Sequence, residues 1–297
     1  MRAAAPRYLG AMAAERSGDA IWIDGELRPA EGATVSAFDH GLTVGDGLFE
    51  TMKVVTDEHG AKHAFALSRH LRRLRRSAAG LALPLAVTDD DLRAAVRAVL
   101  AANATTAGRV RVTITGGIGP LGSDRAETRP TVLVASAPLA PWPATAAVAR
   151  VPWRRNEHSA IAGLKTTSYV ENVVALQHAH EQGASEAIFA NTAGALCEGT
   201  GSNVFVGIGG RLCTPPLSSG CLAGITRELL VEHLDVEDTD LPLDRLHEVD
   251  ELFLSSSTRD VQPVDRIDGQ PVRRAPGPLT ELAMETFRSL ASADVDP

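Results

Sequence analysis

Cysteine is scarce in this chain: Cys197, Cys213 and Cys221 are the only three among 297 residues. An odd number cannot all pair internally, and their spacing is not that of a zinc site. Free thiols in a reducing cytoplasm are expected. Basic charge is also in deficit. The formal net charge is −8 and the pI about 5.6, which argues against a nucleic-acid or membrane-surface partner, since either favours a basic face. No apolar run approaches membrane-spanning length. Residues 1–19 are alanine-rich but broken by Pro6, Gly10, Glu15 and Arg16. They lack a signal peptide's apolar centre, and a disordered leader is expected there. Repeats and low-complexity tracts are absent too. Lysine is the rarest charged type: after Lys62 the only one is Lys165. An amine that loses its proton in a partly buried site can form a Schiff base, whereas a guanidinium cannot.

What is present reads as hairpins beside helices. Ile21–Ile23, Asp24-Gly25 and Glu26–Arg28 predict a hairpin with a tight turn. Leu48–Val55 and Lys62–Ala66 predict a second. Leu67, Leu71, Leu74 and Ala78 fall at helical spacing and stop at Gly80. A further helix is expected over Asp89–Ala102, followed by strands at Arg109–Thr115 and Thr131–Ser136. Pro138, Pro141 and Pro143 mark a linker at 137–146. Beyond it a strand is expected at Ala147–Val151. A helix over Thr167–Gln182 would carry Val170, Val173, Val174 and Gln177 on one face. Strands at Glu186–Ala190, Asn203–Ile208, Arg211–Cys213 and Glu251–Ser255, with helices from Thr226 and Leu279, complete the reading. Without regular βαβ repeats the class is α+β in two domains, 20–136 and 147–297.

Several motifs invite chemistry. Gly117-Ile118-Gly119-Pro120-Leu121-Gly122 spells a dinucleotide fingerprint, but no helix opens after it, so a strand-connecting loop is expected. Arg69, His70, Arg72, Arg73, Arg75 and Arg76 form a basic cluster on one helix, mostly a solvated face, from which one arginine could reach a phosphate. His178 and His180 sit two apart on a helix and cannot share a metal; no metal is expected. Cys197 reads as a small buried filler. Gly224-Ile225-Thr226-Arg227 places a glycine just before a helix N-terminus, a natural anion seat. Ser255-Ser256-Ser257-Thr258 offers hydroxyls that could complete it.

In their order and approximate spacing, Arg73, Lys165, Glu198, Gly224–Arg227 and the serine run resemble the class IV aminotransferases, the fold-type IV pyridoxal phosphate enzymes. That group includes branched-chain and D-amino acid aminotransferases and 4-amino-4-deoxychorismate lyases. The resemblance covers about Ile21 to Arg266. It is strongest in Phe38-Asp39-His40-Gly41, Gly45–Thr51, Gly163-Leu164-Lys165 and Glu198–Phe205. It implies a small N-terminal α/β domain and a larger C-terminal domain with a β-barrel-like core. It also implies pyridoxal 5'-phosphate held by Lys165 as a Schiff base, with Lys165 then moving the substrate's Cα proton. Glu198 would pair with the pyridine nitrogen. Arg73, Ile225, Thr226, Ser256 and Ser257 would bind the phosphate, and Asn203 would lie near the cofactor. Phe49 and Thr51 would line the substrate pocket. Tyr169 stands four residues after Lys165, where many relatives carry an aromatic hydroxyl at five, and is the candidate contact to the phenolic oxygen.

Two departures bear on the substrate. Pro120–Ser123 lacks the Arg-x-His pair with which D-amino acid enzymes trap a carboxylate, and Val44 replaces an arginine found before Gly-Asp-Gly in a related subgroup. The expected activity is transamination between an amino acid and a 2-oxo acid. The alternative, motivated by Phe38–Gly41 and the missing arginines, is a lyase releasing 4-aminobenzoate and pyruvate. The resemblance further implies a homodimer.

Overall fold

The computed structural model describes residues 20–57, 59–104, 108–127 and 129–297. The leader expected at 1–19 lies outside the described residues. Two sheets organise the rest. The first begins with β1 (Ala20–Ile23) and β2 (Glu26–Pro29), the expected hairpin, whose turn puts Asp24 at φ 48° and Gly25 at φ 105°. A short helix, α1 (His40–Thr43), leads into β3 (Gly47–Thr56) and β4 (Lys62–Ala64). Helices α2 (Leu67–Gly80) and α3 (Asp89–Ala102) follow, then β5 (Gly108–Thr115) and β6 (Val132–Pro138). The sheet order is β2-β1-β6-β5-β3-β4, antiparallel throughout.

Alternation along β5 sets the layering. Val110, Val112 and Ile114 pack with Leu71, Leu74 and Ala78 of α2 and Leu92, Val96 and Val99 of α3. Arg109, Arg111 and Thr113 therefore point to the opposite face, because successive side chains alternate across a strand. α3 starts with a reciprocal cap: Thr88 accepts from the Asp91 N–H, and the Asp91 carboxylate accepts from the Thr88 N–H.

The second sheet contains β7 (Ala146–Arg155), β8 (Glu186–Asn191), β9 (Leu196–Gly199), β10 (Asn203–Ile208) and β11 (Arg211–Thr214). It continues with β12 (Val236–Asp238), β13 (Glu251–Ser256), β14 (Asp260–Ile267) and β15 (Gln270–Pro271). Its order is β12-β11-β10-β13-β14-β7-β8-β9, with β15 beside β14. Helices α4 (Val170–Glu181), α5 (Ile225–His233) and α6 (Pro278–Ala293) accompany it. One face buries Val148, Ile188, Val204, Val206, Leu252, Leu254 and Val264. On the other, Phe205 and Phe253 stack 4.8 Å apart and pack with Leu229 of α5 and Phe287 of α6. Both sheets curl into half-barrels, giving a mixed α/β fold.

The structure departs from expectation in three places. β7 and β8 are parallel and joined through α4, and β11 and β12 are parallel and joined through α5, so the second sheet contains two βαβ units. α4 begins at Val170, with Tyr169 as its N-cap residue. Its valine face is turned outward: Val170 is 74% exposed, and Val173 and Val174 are exposed as well, while Asn172, Ala175 and Ala179 are buried. Alanines one turn apart let the helix sit close on β7 and β8, and small side chains rather than large ones mark the packed face. The strands on either side of 139–145 also run further than expected: β6 continues to Pro138, and β7 spans Ala146–Arg155. Among the described residues no helix is long and apolar enough to cross a membrane.

Candidate active site

Lys165 lies between β7 and α4, and its backbone is pinned from two sides. Its N–H donates to Ser77 Oγ on α2 (3.2 Å), and its carbonyl accepts from the Phe49 N–H on β3 (3.0 Å). Gly163 turns at φ 71° to deliver the segment, and Leu164 packs so closely that a Cβ on Gly80 would come within 2.8 Å of it. The lysine side chain lines a cavity of about 310 Å³. Arg73, Tyr169, Glu198, Asn203, Ile225, Ser256, Ser257 and Thr51 line the same cavity. Phe49 lies behind it with its ring centroid 4.3 Å from Lys165 Nζ, and Thr226 is buried as the second residue of α5. Residues spread over 200 positions of sequence thus converge on one space.

One end of the cavity is built for an anion. α5 opens at Ile225 after Gly224 with no side-chain cap, leaving its first N–H groups free for a negative ligand. Glycine is required at 224, since a Cβ there would meet Asn203 Oδ1 at 2.0 Å. Asn203 in turn donates to the Leu222 carbonyl at 2.8 Å and fixes the approach to the helix. Arg73 is only 4% exposed; it donates from Nε (2.8 Å) and Nη2 (2.7 Å) to Glu50 and from Nη1 to the Ala223 carbonyl (2.9 Å). Three of the guanidinium's five N–H bonds are used, leaving one on each terminal nitrogen. Ser256 Oγ accepts from the Arg259 N–H, and Ser257 Oγ lies 3.2 Å from His70 Nε2.

Glu50 underlies this end. Burial alone would raise its carboxyl, but the Arg73 charge and hydrogen bonds, helped by His70, overcome that and hold it at about 2. Removing one partner of such a buried set strands the other charges. Glu50→Ala is therefore expected to lower stability by about 3–5 kcal/mol, read as a loss of Tm in thermal unfolding; a shift equivalent to under about 1 kcal/mol would contradict the network.

The other end belongs to Glu198. Its Oε2 accepts from the Leu222 N–H (2.9 Å), and Arg155 Nε stands 3.3 Å from Oε1. Arg155 is otherwise engaged with Glu171 (2.6 Å) and Asn172 (2.9 Å), and its Nε makes no aligned hydrogen bond. Burial pushes the Glu198 carboxyl up, against the opposing pull of Arg155 and the Leu222 amide. Tyr169 donates its hydroxyl to the Thr200 carbonyl (3.0 Å) and sets its ring edge-on to Phe49.

Between the two ends, burial first and the Arg73 charge second bring Lys165 down from 10.5 to about 8. At pH 7.5 about a quarter of such an amine is neutral, against about 0.1% of an ordinary lysine. The neutral form is the nucleophile. The rate at which the cofactor-free protein captures a small aldehyde at Lys165 should rise with pH up to about 8 and level off above it. A rise continuing to pH 10 would place the amine at its ordinary value.

The family described as "Amino-transferase class IV" matches residues 47–267. The chain belongs to the class IV aminotransferases. A Methanocaldococcus jannaschii protein carrying a provisional branched-chain-amino-acid aminotransferase name is 30% identical over 284 residues, covering 91% of this chain and 96% of its own. The Escherichia coli branched-chain amino acid aminotransferase structure superposes with a TM-score of 0.87 at 27% identity, over 93% of this chain and 95% of that one. The Thermobaculum terrenum branched-chain aminotransferase in its pyridoxal-phosphate form gives 0.83 at 25% identity, over 93% and 95%.

This aminotransferase is accordingly a pyridoxal 5'-phosphate enzyme, and its cavity fits that cofactor. An uncapped helix start and a buried arginine with spare N–H bonds suit a phosphate. A lysine with a lowered pKa suits an aldehyde, and an acid with a raised pKa suits a pyridine nitrogen. Of the basic cluster in the aminotransferase, only His70 and Arg73 turn inward. Arg69 pairs with Glu228 and Glu232, Arg75 pairs with Asp89, and Arg72 and Arg76 are exposed. The Gly117–Gly122 segment is a loop between β5 and β6, and a Cβ on Gly117 would meet the Arg129 carbonyl at 1.9 Å. Cys197 is the buried filler expected, its thiol pushed far up by burial.

Sequence reasoning missed Arg111. It lies opposite Thr51 across β3 and β5, and its guanidinium carbon stands 3.7 Å from the Phe49 ring centroid. Its one hydrogen bond to a described side chain is to Thr113 (3.1 Å), and it forms no ion pair among the described residues. Desolvation lowers its pKa. Strand alternation could have found it: it shares the non-helical face of the first sheet with Thr51, one strand over.

Proposed function

We propose that this aminotransferase moves the amino group of a branched-chain amino acid to a 2-oxo dicarboxylic acid, with Lys165 as covalent anchor and proton carrier. The names of its relatives support the first substrate. Arg111 supports the second, and it is the observation that carries the reading: an arginine with no acid partner among the described residues sits against Phe49, whose ring also faces the reactive lysine. A substrate carboxylate would give that guanidinium a bidentate partner. Arg111→Ala is expected to raise KM for 2-oxoglutarate about 30-fold or more, the weight of a charged hydrogen bond, with far less effect on a monocarboxylate oxo acid. Equal losses on both would contradict the assignment.

In this reading Arg73, the Ile225 and Thr226 N–H groups, the Thr226 hydroxyl, Ser256 and Ser257 hold the phosphate. Glu198 keeps the ring nitrogen protonated, with Arg155 behind it restraining the acid. Asn203 shapes the α5 approach, Tyr169 closes one side of the ring, and Phe49 and Thr51 wall the substrate side. Pyridoxal phosphate supplies the electron withdrawal that makes the substrate's Cα proton removable. Lys165 would take that proton on its Nζ and return it across the short distance its pinned backbone allows.

The residues that raised the lyase alternative have a scaffolding explanation. Asp39 Oδ1 accepts from the Gly41 N–H (2.8 Å) to start α1, and Oδ2 accepts from the Thr115 and Thr131 hydroxyls (2.8 Å each). His40 Nε2 meets the Pro120 carbonyl at 2.9 Å. We further read the molecule as two domains, 20–136 and 147–297, joined by 137–146, and as a cytoplasmic homodimer. Phe38, Leu42, Val44, Ile118 and Leu121 support the dimer: all five are exposed, on two segments bridged through Asp39 and Ile118. A patch of this kind normally has a partner. Leu121→Asp is expected to yield monomers in sedimentation; an unchanged dimer would place the interface elsewhere.

A further inference from the structure

We infer that His70 takes up a proton when the cofactor's phosphate binds, and that Ser257 transmits the event. The inference rests on the assignment of Ser257 to the phosphate seat. His70 is buried on α2 between two partners: Nδ1 lies 2.6 Å from Glu50 Oε2, and Nε2 lies 3.2 Å from Ser257 Oγ. Glu50, ionised and doubly bonded to Arg73, can only accept. The Nδ1 nitrogen must therefore carry the hydrogen, which leaves Nε2 bare in the neutral ring.

That tautomer fixes Ser257. A serine hydroxyl has a single hydrogen, and a bare Nε2 draws it away from the cavity. The oxygen then shows its lone pairs to the phosphate seat, the wrong polarity for a dianion. A proton from solvent on Nε2 reverses the chain. Nε2–H donates to Ser257 Oγ, the hydroxyl hydrogen is freed, and Ser257 donates to a phosphate oxygen. The only bond formed is N–H at His70.

The groups facing His70 make it a balanced switch. Glu50 on β3 favours the cation, whereas Arg73 on α2 and Lys165 ahead of α4 oppose it. Burial, the largest influence, keeps the ring neutral while the seat holds no phosphate. A phosphate dianion adds the negative charge that tips the balance. His70 does not touch substrate in this reading; it is a positioning residue that acts through Ser257.

The test uses the full chain stripped of cofactor, labelled with ¹⁵N-histidine, at pH 7.5. Pyridoxamine 5'-phosphate is the ligand, since it carries no aldehyde for Lys165, and pyridoxamine without phosphate is the control. His70 is identified by loss of its signals in His70→Gln or, if that variant does not fold, by its Nδ1–H coupling across to Glu50. The expected result is a bare Nε2 in the free protein and with pyridoxamine, and two protonated ring nitrogens with pyridoxamine 5'-phosphate. Ser257→Ala should bind the phosphate ligand more weakly and leave Nε2 bare. Wild-type affinity should weaken by up to tenfold per pH unit between the free and bound pKa of His70, a slope reduced by about one in Ser257→Ala. Tight, phosphate-dependent binding with Nε2 still bare would overturn the inference alone. Equal affinity for the two ligands would overturn the phosphate seat itself, and the inference with it.

Discussion

Lys165→Ala is expected to lower kcat about 10⁴-fold, the upper range for a residue that is both nucleophile and proton carrier. Borohydride reduction of the wild-type holoenzyme should fix the cofactor's mass on the peptide containing Lys165, and the variant should retain none. No other lysine is placed to substitute. Lys53 is paired with Asp260, and Lys62 is bonded to the Asn103 carbonyl. Neither lines the cavity that holds Lys165. Arginine would not rescue, because a guanidinium stays protonated. Activity within tenfold of wild type, or cofactor mass on another lysine, would remove Lys165 from the mechanism.

The second large effect is expected at Glu198. Glu198→Gln should lower kcat by about 10²–10³, the usual loss when one preorganised electrostatic partner of a reacting system is removed. The amide keeps the size and can still accept from the Leu222 N–H, so the cavity keeps its shape. What it loses is the negative charge that favours a proton on the ring nitrogen. Arg155 then faces an uncharged neighbour, and its positive charge opposes ring protonation directly. Glu198→Asp should recover part of the loss, since it restores the charge one methylene short. Saturating the variants with cofactor, checked by its absorbance, separates this effect from weak binding. An unchanged kcat in the amide variant would show that Glu198 is not the ring's partner.

These two residues stood out in sequence, one as the only lysine after Lys62 in an arginine-rich chain and the other as the acid that opens the glycine-rich run Glu198–Gly201. α2 and α3 were legible to the residue, since strong amphipathic spacing coincides with clear stops and, for α3, a cap. α4 was found but its packed face was not. Periodicity rewards large apolar side chains, whereas Ala175 and Ala179 do the packing and the valines face outward. β9 and β12 escaped notice because strands of four and three residues carry too little alternation by themselves, and neither is announced by a turn such as the Asp24-Gly25 or Gly209-Gly210 that marked the equally short β1, β2 and β11. Glu50, His70 and Arg111 were obscure for another reason. Their meaning depends on partners 20 to 187 positions away, or on a cross-strand register that no local pattern encodes.

Amino-group transfer through Lys165 is tested most directly by a half-reaction. The holoenzyme is mixed with one equivalent of leucine or valine and no oxo acid, and both cofactor and product are measured in a single turnover. One equivalent of the branched 2-oxo acid per active site is expected, with full conversion of the cofactor to its amine form, reversed by adding 2-oxoglutarate. A cofactor left in its aldehyde form by every amino acid in a broad panel, with 4-aminobenzoate and pyruvate released from aminodeoxychorismate instead, would contradict that transfer.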